Sequence, residues 1–305
     1  MSSRSLALTA IIISSLLWGT AGVAAKVLIR EINPFVAAFY RFLIASLIIL
    51  PFFLHEKKPR SVWRGLLPLS LVGAINVPLF YLGLKTTTAN SASLIYAAVP
   101  LATAVLSNIL IKEKSPAKRL VGILVGLLGV ITIILLPALE KGEALSGALE
   151  GNLFITLAML SWTLYTIGSR YFLAKNQFSP LTITSVYFFT ITVVCLVLVC
   201  LSGQPFFTPT ILVPKYLFTL IYSAIFITLV TYFLFQWAIQ RISVTTASLK
   251  QYLELVFSVW LNVTLLGEKI TAGFVFGSLL VIAGVAIATG SQLTQVFKKG
   301  LRRIS

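Results

Sequence analysis

Glu254 is the only acidic residue inside an apolar run of this chain. A carboxylate at membrane depth is costly and marks a functional position by default. Lys250 stands four residues earlier, so two readings stay open. The two charges close on each other along one helix face, or Glu254 meets a substrate amine or carries a coupling proton. Arg41 lies about two turns into another apolar run. It either snorkels to the outer interface or meets a substrate carboxylate, a role for which Lys26 is the other candidate. Aromatic and amide side chains fall at comparable depth: Trp18, Asn76, Phe80, Tyr81, Tyr96, Trp162, Tyr165, Tyr232 and Gln251. They are the candidate wall of a substrate cavity. Buried aromatics also serve as plain core or as an interfacial belt, and Trp237, near a helix end, suits the belt.

Other chemistries are excluded by what is missing. The chain has no Asp, and its one His, His55, sits in a polar loop. A Ser-His-Asp triad is therefore impossible and a His-rich metal site is ruled out. Cys195 and Cys200 lie in one apolar run about 140° apart around a helix, which suits inert packing and not a metal or redox pair. There is no Walker A sequence and no GxGxxG. No cofactor and no metal are expected. An intramembrane enzyme would need paired ionisable groups at depth, so the chain reads as a non-enzyme. The sequon Asn262-Val263-Thr264 falls inside an apolar run and is discounted.

These residues ride on membrane-spanning helices. Of 305 residues 58% are hydrophobic and 10% charged, where a soluble domain has about 25% charged. Apolar runs long enough to cross a layer of about 30 Å recur along the whole chain, and lipid obliges their backbone to be helical. The predicted spans are 6–28, 33–54, 65–84, 91–111 and 117–136, then 151–173, 180–201, 215–238, 247–266 and 271–292. The first resembles a signal peptide, but it has a counterpart in the second half and is read as a retained span. Pro34 and Pro180 sit at helix starts, where a missing N–H costs little. Pro68 and Pro78 fall within the third span and Pro100 within the fourth, where they free carbonyls and kink the helix.

The chain contains itself twice. Ala247–Val285 laid on Ala92–Val130 matches at 12 of 39 positions, against roughly one in ten by accident in so apolar a chain. The surplus includes Glu113 with Glu268, Lys114 with Lys269, Gly122 with Gly277 and Gly129 with Gly284. Trp18 and Lys26 recur, with the same spacing of eight, as Trp162 and Arg170. The fold class is thus an all-α polytopic membrane protein: ten transmembrane helices as two five-helix repeats. Five spans per half make the second copy enter from the opposite side, an inverted repeat common among secondary transporters. The divisions are 1–137 for the first repeat, 138–150 for an external linker, 151–292 for the second repeat and 293–305 for a basic tail. Glu113 and Glu268 stand at corresponding turns and are expected to hold those turns to their partner loops. Gly122, Gly126 and Gly129, with Gly277 and Gly284, form small-residue faces for close helix packing, either between the halves or in a dimer. With the N-terminus inside, 17 basic residues fall on inner segments and six on outer ones. That places both termini in the cytoplasm. The net charge of +16 reflects this orientation and not a nucleic-acid partner.

The chain resembles the drug/metabolite transporter superfamily, in its EamA-type branch. The resemblance covers nearly the whole chain. It rests on Leu17-Trp18-Gly19 with Lys26, Tyr40-Arg41-Phe42, and Leu84-Lys85 before Ala89-Asn90-Ser91-Ala92-Ser93. Pro100 thirteen residues before Glu113, Leu265-Leu266-Gly267-Glu268-Lys269 and the Gly-rich last helix complete it. The ninth span departs from the family's Leu-Glu-Pro by reading Leu253-Glu254-Leu255. The resemblance implies a ten-helix carrier in the bacterial inner membrane, exporting amino acids or other small metabolites. Its central cavity would be lined by spans 1, 3, 4, 6, 8 and 9 and open alternately to each side, with spans 5 and 10 peripheral. The expected partners are a small-molecule substrate, the lipid bilayer and protons as a candidate coupling ion; monomer and homodimer both stay open. The alternatives are a carrier of phosphorylated sugars or nucleotides, which would want clustered cations at the cavity, and a structural membrane protein with no polar hollow.

Overall fold

The computed structural model describes residues 3–28, 30–57, 61–84, 86–87, 92, 95–140, 149–266 and 272–301. Among them every regular element is helical. In the first half these are α1 (Ser3–Gly19), α2 (Ala21–Leu28), α3 (Pro34–His55), α4 (Val62–Ala74), α5 (Asn76–Leu84), α6 (Val99–Ile111) and α7 (Ala117–Glu140). In the second they are α8 (Leu149–Ala174), α9 (Pro180–Ser202), α10 (Pro214–Tyr222), a π-helical stretch (Ser223–Val230), α11 (Thr231–Ile239), α12 (Val244–Ser248), α13 (Lys250–Leu266) and α14 (Ala272–Leu301). Among the described residues five stretches are long and apolar enough to cross a membrane: Ser3–Ala25, Pro34–His55, Val62–Phe80, Pro180–Ser202 and Pro214–Ile239. Large apolar side chains such as Leu47, Phe52, Ile109, Leu128, Phe218 and Leu279 stand exposed around the outside. A soluble monomer does not carry so continuous an apolar surface; this one faces lipid.

Several predicted spans arrive in two pieces, two of them at a proline. Pro78 has no N–H to return to Ala74, and the third span breaks at Ile75 between α4 and α5. Pro100 sits in the first turn of α6, so the fourth span restarts at Val99. The first span breaks after Gly19, where a Cβ would come within 3.0 Å of Phe257 Cβ on α13. The Thr20 hydroxyl then caps Leu17 O at 2.7 Å. The ninth span breaks at Leu249 without proline, while α13 runs unbroken through Leu255. The helix starts read from sequence hold well. Asn33 Oδ1 accepts from Phe35 N ahead of Pro34, and Ser179 Oγ accepts from Thr182 N ahead of Pro180. α14 runs to Leu301, past the predicted end at 292, because nothing between Ser291 and Phe297 breaks a helix.

Contacts between the halves come in matched sets, as a two-fold relation requires. α3 packs on α9 and α7 on α14, each helix on its own repeat. The packing of α1 on α13 is answered by α8 on α6, and that of α1 on α11 by α8 on α5. α9 against α4 is answered by α3 against the π stretch. The glycine faces serve this internal contact. A Cβ on Gly122 would lie 2.5 Å from Ala288 N and 2.6 Å from Gly284 O. On Gly129 it would meet Gly277 O at 2.6 Å. On Gly126 it would strike the Tyr252 ring at 2.6 Å. The Tyr252 hydroxyl donates to Ile123 O at 3.0 Å across the same joint. Of the two uses expected for these glycines, the joint between the halves is the one seen.

On the side predicted to be cytoplasmic, Glu113 ties three segments. Arg170 Nε of α8 donates to its Oε2 at 3.0 Å, and Val244 N at the start of α12 donates to Oε1 at 2.9 Å. Arg170 Nη1 also donates to Ile239 O and Gln240 O at 2.8 and 3.0 Å. Glu268 lies outside the described residues.

Candidate functional site

A cavity of about 610 Å³ opens between the two halves. Its size is that of a small-metabolite site. The first half supplies Trp18 at the end of α1, Arg41 and Phe42 from α3, and Asn76 and Phe80 from α5. Tyr96, before the α6 break, also reaches it. The second half supplies Trp162 from α8, Tyr232 from α11, and Lys250, Gln251, Glu254 and Ser258 from α13. Nine of the candidates read from sequence therefore meet at one recess: Trp18, Arg41, Asn76, Phe80, Tyr96, Trp162, Tyr232, Gln251 and Glu254. The side chains of Lys26 and Tyr81 lie outside the described residues.

Tyr165 corrects the expected wall. It is fully buried and does not line the cavity. Its ring lies 4.5 Å from that of Tyr187, and its hydroxyl accepts from Gln236 Nε2 at 3.0 Å. The position one turn after Trp162 faces α4, where Gly73 leaves room for the ring. The helices around the cavity differ too. α3 contributes Arg41 and Phe42, and Val130 of α7 reaches the lining. The spans expected from the resemblance included neither.

The helix breaks aim the polar groups. Asn76 opens α5 directly after the break that Pro78 causes. Its Nδ2 donates to Tyr96 OH and to Ala158 O, both at 2.7 Å. One amide thus joins α5, α8 and the segment before α6. Phe80 stacks edge-on to Tyr96 at 5.6 Å. Trp18 meets Trp162 at 6.3 Å and Tyr232 at 5.3 Å, both edge-to-face, a favoured aromatic geometry.

Arg41 turns into the chain instead of out along lipid. Its Nε donates to Thr228 Oγ1 in the π stretch. That hydroxyl donates in turn to Ser223 O at 2.9 Å, five residues back within the π stretch. Among the described residues no carboxylate lies within ion-pair reach of Arg41. Lys250 and Glu254, by contrast, close on each other at 3.0 Å. Lys250 is only 5% exposed, and its ammonium lies 3.8 Å from the Trp18 ring centre and 5.7 Å from those of Trp162 and Phe235. Among the described residues the lining charges thus sum to one surplus positive, at Arg41. Lys250, one of the 17 basic residues assigned to inner segments, lines the recess. The face Lys250, Gln251, Glu254, Leu255, Ser258 steps by three and four, and that spacing was the available signal. Thr228 gave no such signal, because π winding shifts the register of its helix.

Apolar helices enclosing a polar recess between two related halves define a membrane carrier. The model of the EamA-like transporter family matches residues 5–135 and again 149–290. The chain belongs to that family, within the drug/metabolite transporter superfamily, and it is a transporter of that type. It is 26% identical to an uncharacterized transporter of Clostridium kluyveri over 91% of each chain. It is 27% identical to an uncharacterized transporter of Archaeoglobus fulgidus over 92% of this chain and 96% of the relative. A solved crystal structure of a protein superimposes with a TM-score of 0.77 at 20% identity, covering 94% of this chain and 98% of that one. The likeness to that structure extends to the fold alone.

Proposed function

We propose that the chain is a secondary transporter that exports a small zwitterionic metabolite, an amino acid first among candidates. The observation that carries this reading is the charge pattern of the cavity. Among the described residues Arg41 is a cation with no carboxylate partner, and across the same recess stands a carboxylate paired with a lysine. A substrate carboxylate fits the guanidinium fork, and a substrate amine fits Glu254. Protons are the coupling ion proposed, carried on Glu254. Aromatic faces from both halves supply the rest of the wall. A carrier of phosphorylated sugars or nucleotides would want several unpaired cations, and Glu254 neutralises the second one here. A purely structural protein would have no use for a recess with these polar groups.

In this reading the two repeats are inverted and rock against each other about their pseudo-two-fold axis, so the recess opens to each side in turn. The membrane is the cell's inner membrane, with both termini in the cytoplasm. The test is counterflow in liposomes holding the pure protein. Liposomes preloaded with one amino acid should accumulate the labelled form of the same compound. Uptake no greater than in empty liposomes, across all the common amino acids, would rule the substrate class out.

A further inference from the structure

Lys250 contacts more than the acid four residues on. Its ammonium is buried against a ring face of Trp18, with Trp162 and Phe235 completing three sides and Glu254 the fourth. Aromatic faces around a cation with a carboxylate beside them are the general chemistry of ammonium recognition. Trp18, Trp162, Lys250 and Glu254 all line the cavity. The lysine reaches this recess from the first residue of α13, directly after the helix break at Leu249. Its stem is flexible and carries several rotatable bonds, so the head can leave without any change in the helix.

We propose that the recess of Trp18, Trp162 and Glu254 is an ammonium site that the chain fills with its own Lys250, and that a substrate cation enters by displacing that lysine. The inference rests on the transport reading above and adds a residue that sets specificity. Lys250 keeps Glu254 neutralised while the cavity is empty. It competes with the incoming amine and so lowers affinity for it. A substrate that brings both an amine and a carboxylate gains Arg41 as well, which offsets the competition. A neutral solute gains neither.

The test is binding, separate from transport. Full-length protein in detergent is titrated with methylammonium chloride and followed by tryptophan fluorescence, with sodium chloride at equal ionic strength as the blank. Lys250→Met should bind methylammonium about tenfold more tightly than wild type, a gain within the range of a desolvated cation–π contact. Lys250→Arg, which refills the site, should stay near wild type. The double change Lys250→Met with Glu254→Gln should lose most of the gain. Affinity of Lys250→Met equal to or below wild type overturns the proposal, as does a gain fully kept without Glu254. Should Lys250→Met not fold, its rescue by methylammonium during purification supports the proposal, and failure of that rescue together with unchanged affinity in Lys250→Gln sinks it. Counterflow by wild type is independent of these results: it can fail while the lysine competes, and the reverse.

Discussion

Glu254→Gln keeps the shape of the side chain at the centre of the recess and removes its charge. Counterflow should fall, and any pH dependence of transport should go with it; transport untouched on both counts would take the carboxylate out of the mechanism. Arg41→Lys retains a positive charge but loses the planar fork. The KM for substrates bearing a carboxylate should rise about tenfold, equivalent to about 1.4 kcal/mol, while an unchanged KM would leave Arg41 as a structural partner of Thr228. These two residues were legible in the sequence because a charge in an apolar run has few reasons to be there. Lys250 was legible only in part. Four-residue spacing gave its partner on the same helix, but the Trp18 face it covers belongs to a helix more than two hundred residues away. Tyr165 misled for the same reason in reverse. Depth along a helix says how far in a residue lies, and only packing against Gly73 says which way it faces.

The site is assembled where helices stop being regular. Thr228→Val removes the acceptor for Arg41 while keeping the volume. It should raise KM for a carboxylate substrate and leave the helix content of the protein, measured by circular dichroism, unchanged. Thr228→Ser should restore it. The breaks due to Pro78 and Pro100 could be read from the letters, since a missing N–H acts locally. The π stretch over Ser223–Val230 and the break at Leu249 could not. Neither carries proline or glycine; Arg41 contacts Thr228 within the π stretch, and Glu113 holds Val244 at the head of α12. The helix starts at Pro34 and Pro180 were legible to the residue because cap and proline together leave one choice.

At the scale of the whole molecule, the halves are held at one end by Glu113 and Arg170 and along one side by α7 and α14. Arg170→Ala leaves Glu113 partly buried without its cation and leaves two carbonyls unserved. It should cost on the order of 3 kcal/mol and lower the thermal midpoint in detergent, and a midpoint within error of wild type would show the clasp to be ornamental. Orientation is tested by cysteines introduced at Lys57 and Lys215 after Cys195 and Cys200 are changed to Ala. An impermeant maleimide should reach the first only from the cytoplasm and the second only from outside. The duplication was legible because Glu, Lys and Gly recur at fixed offsets, and the two-fold set of helix contacts follows from it. The neighbours that α3 takes were not, since the repeat says which helices correspond but not which of them meet at the centre.

The joint between α7 and α14 has a consequence for how this chain can change. At Gly122 the atoms that a methyl group would strike include the amide nitrogen of Ala288 and the carbonyl oxygen of Gly284. These belong to the main chain, and no substitution makes a main chain smaller. A bulky replacement there therefore has no compensating partner: a suppressor screen started from Gly122→Val should return reversions to Gly or small residues at the same codon, and not paired changes across the joint.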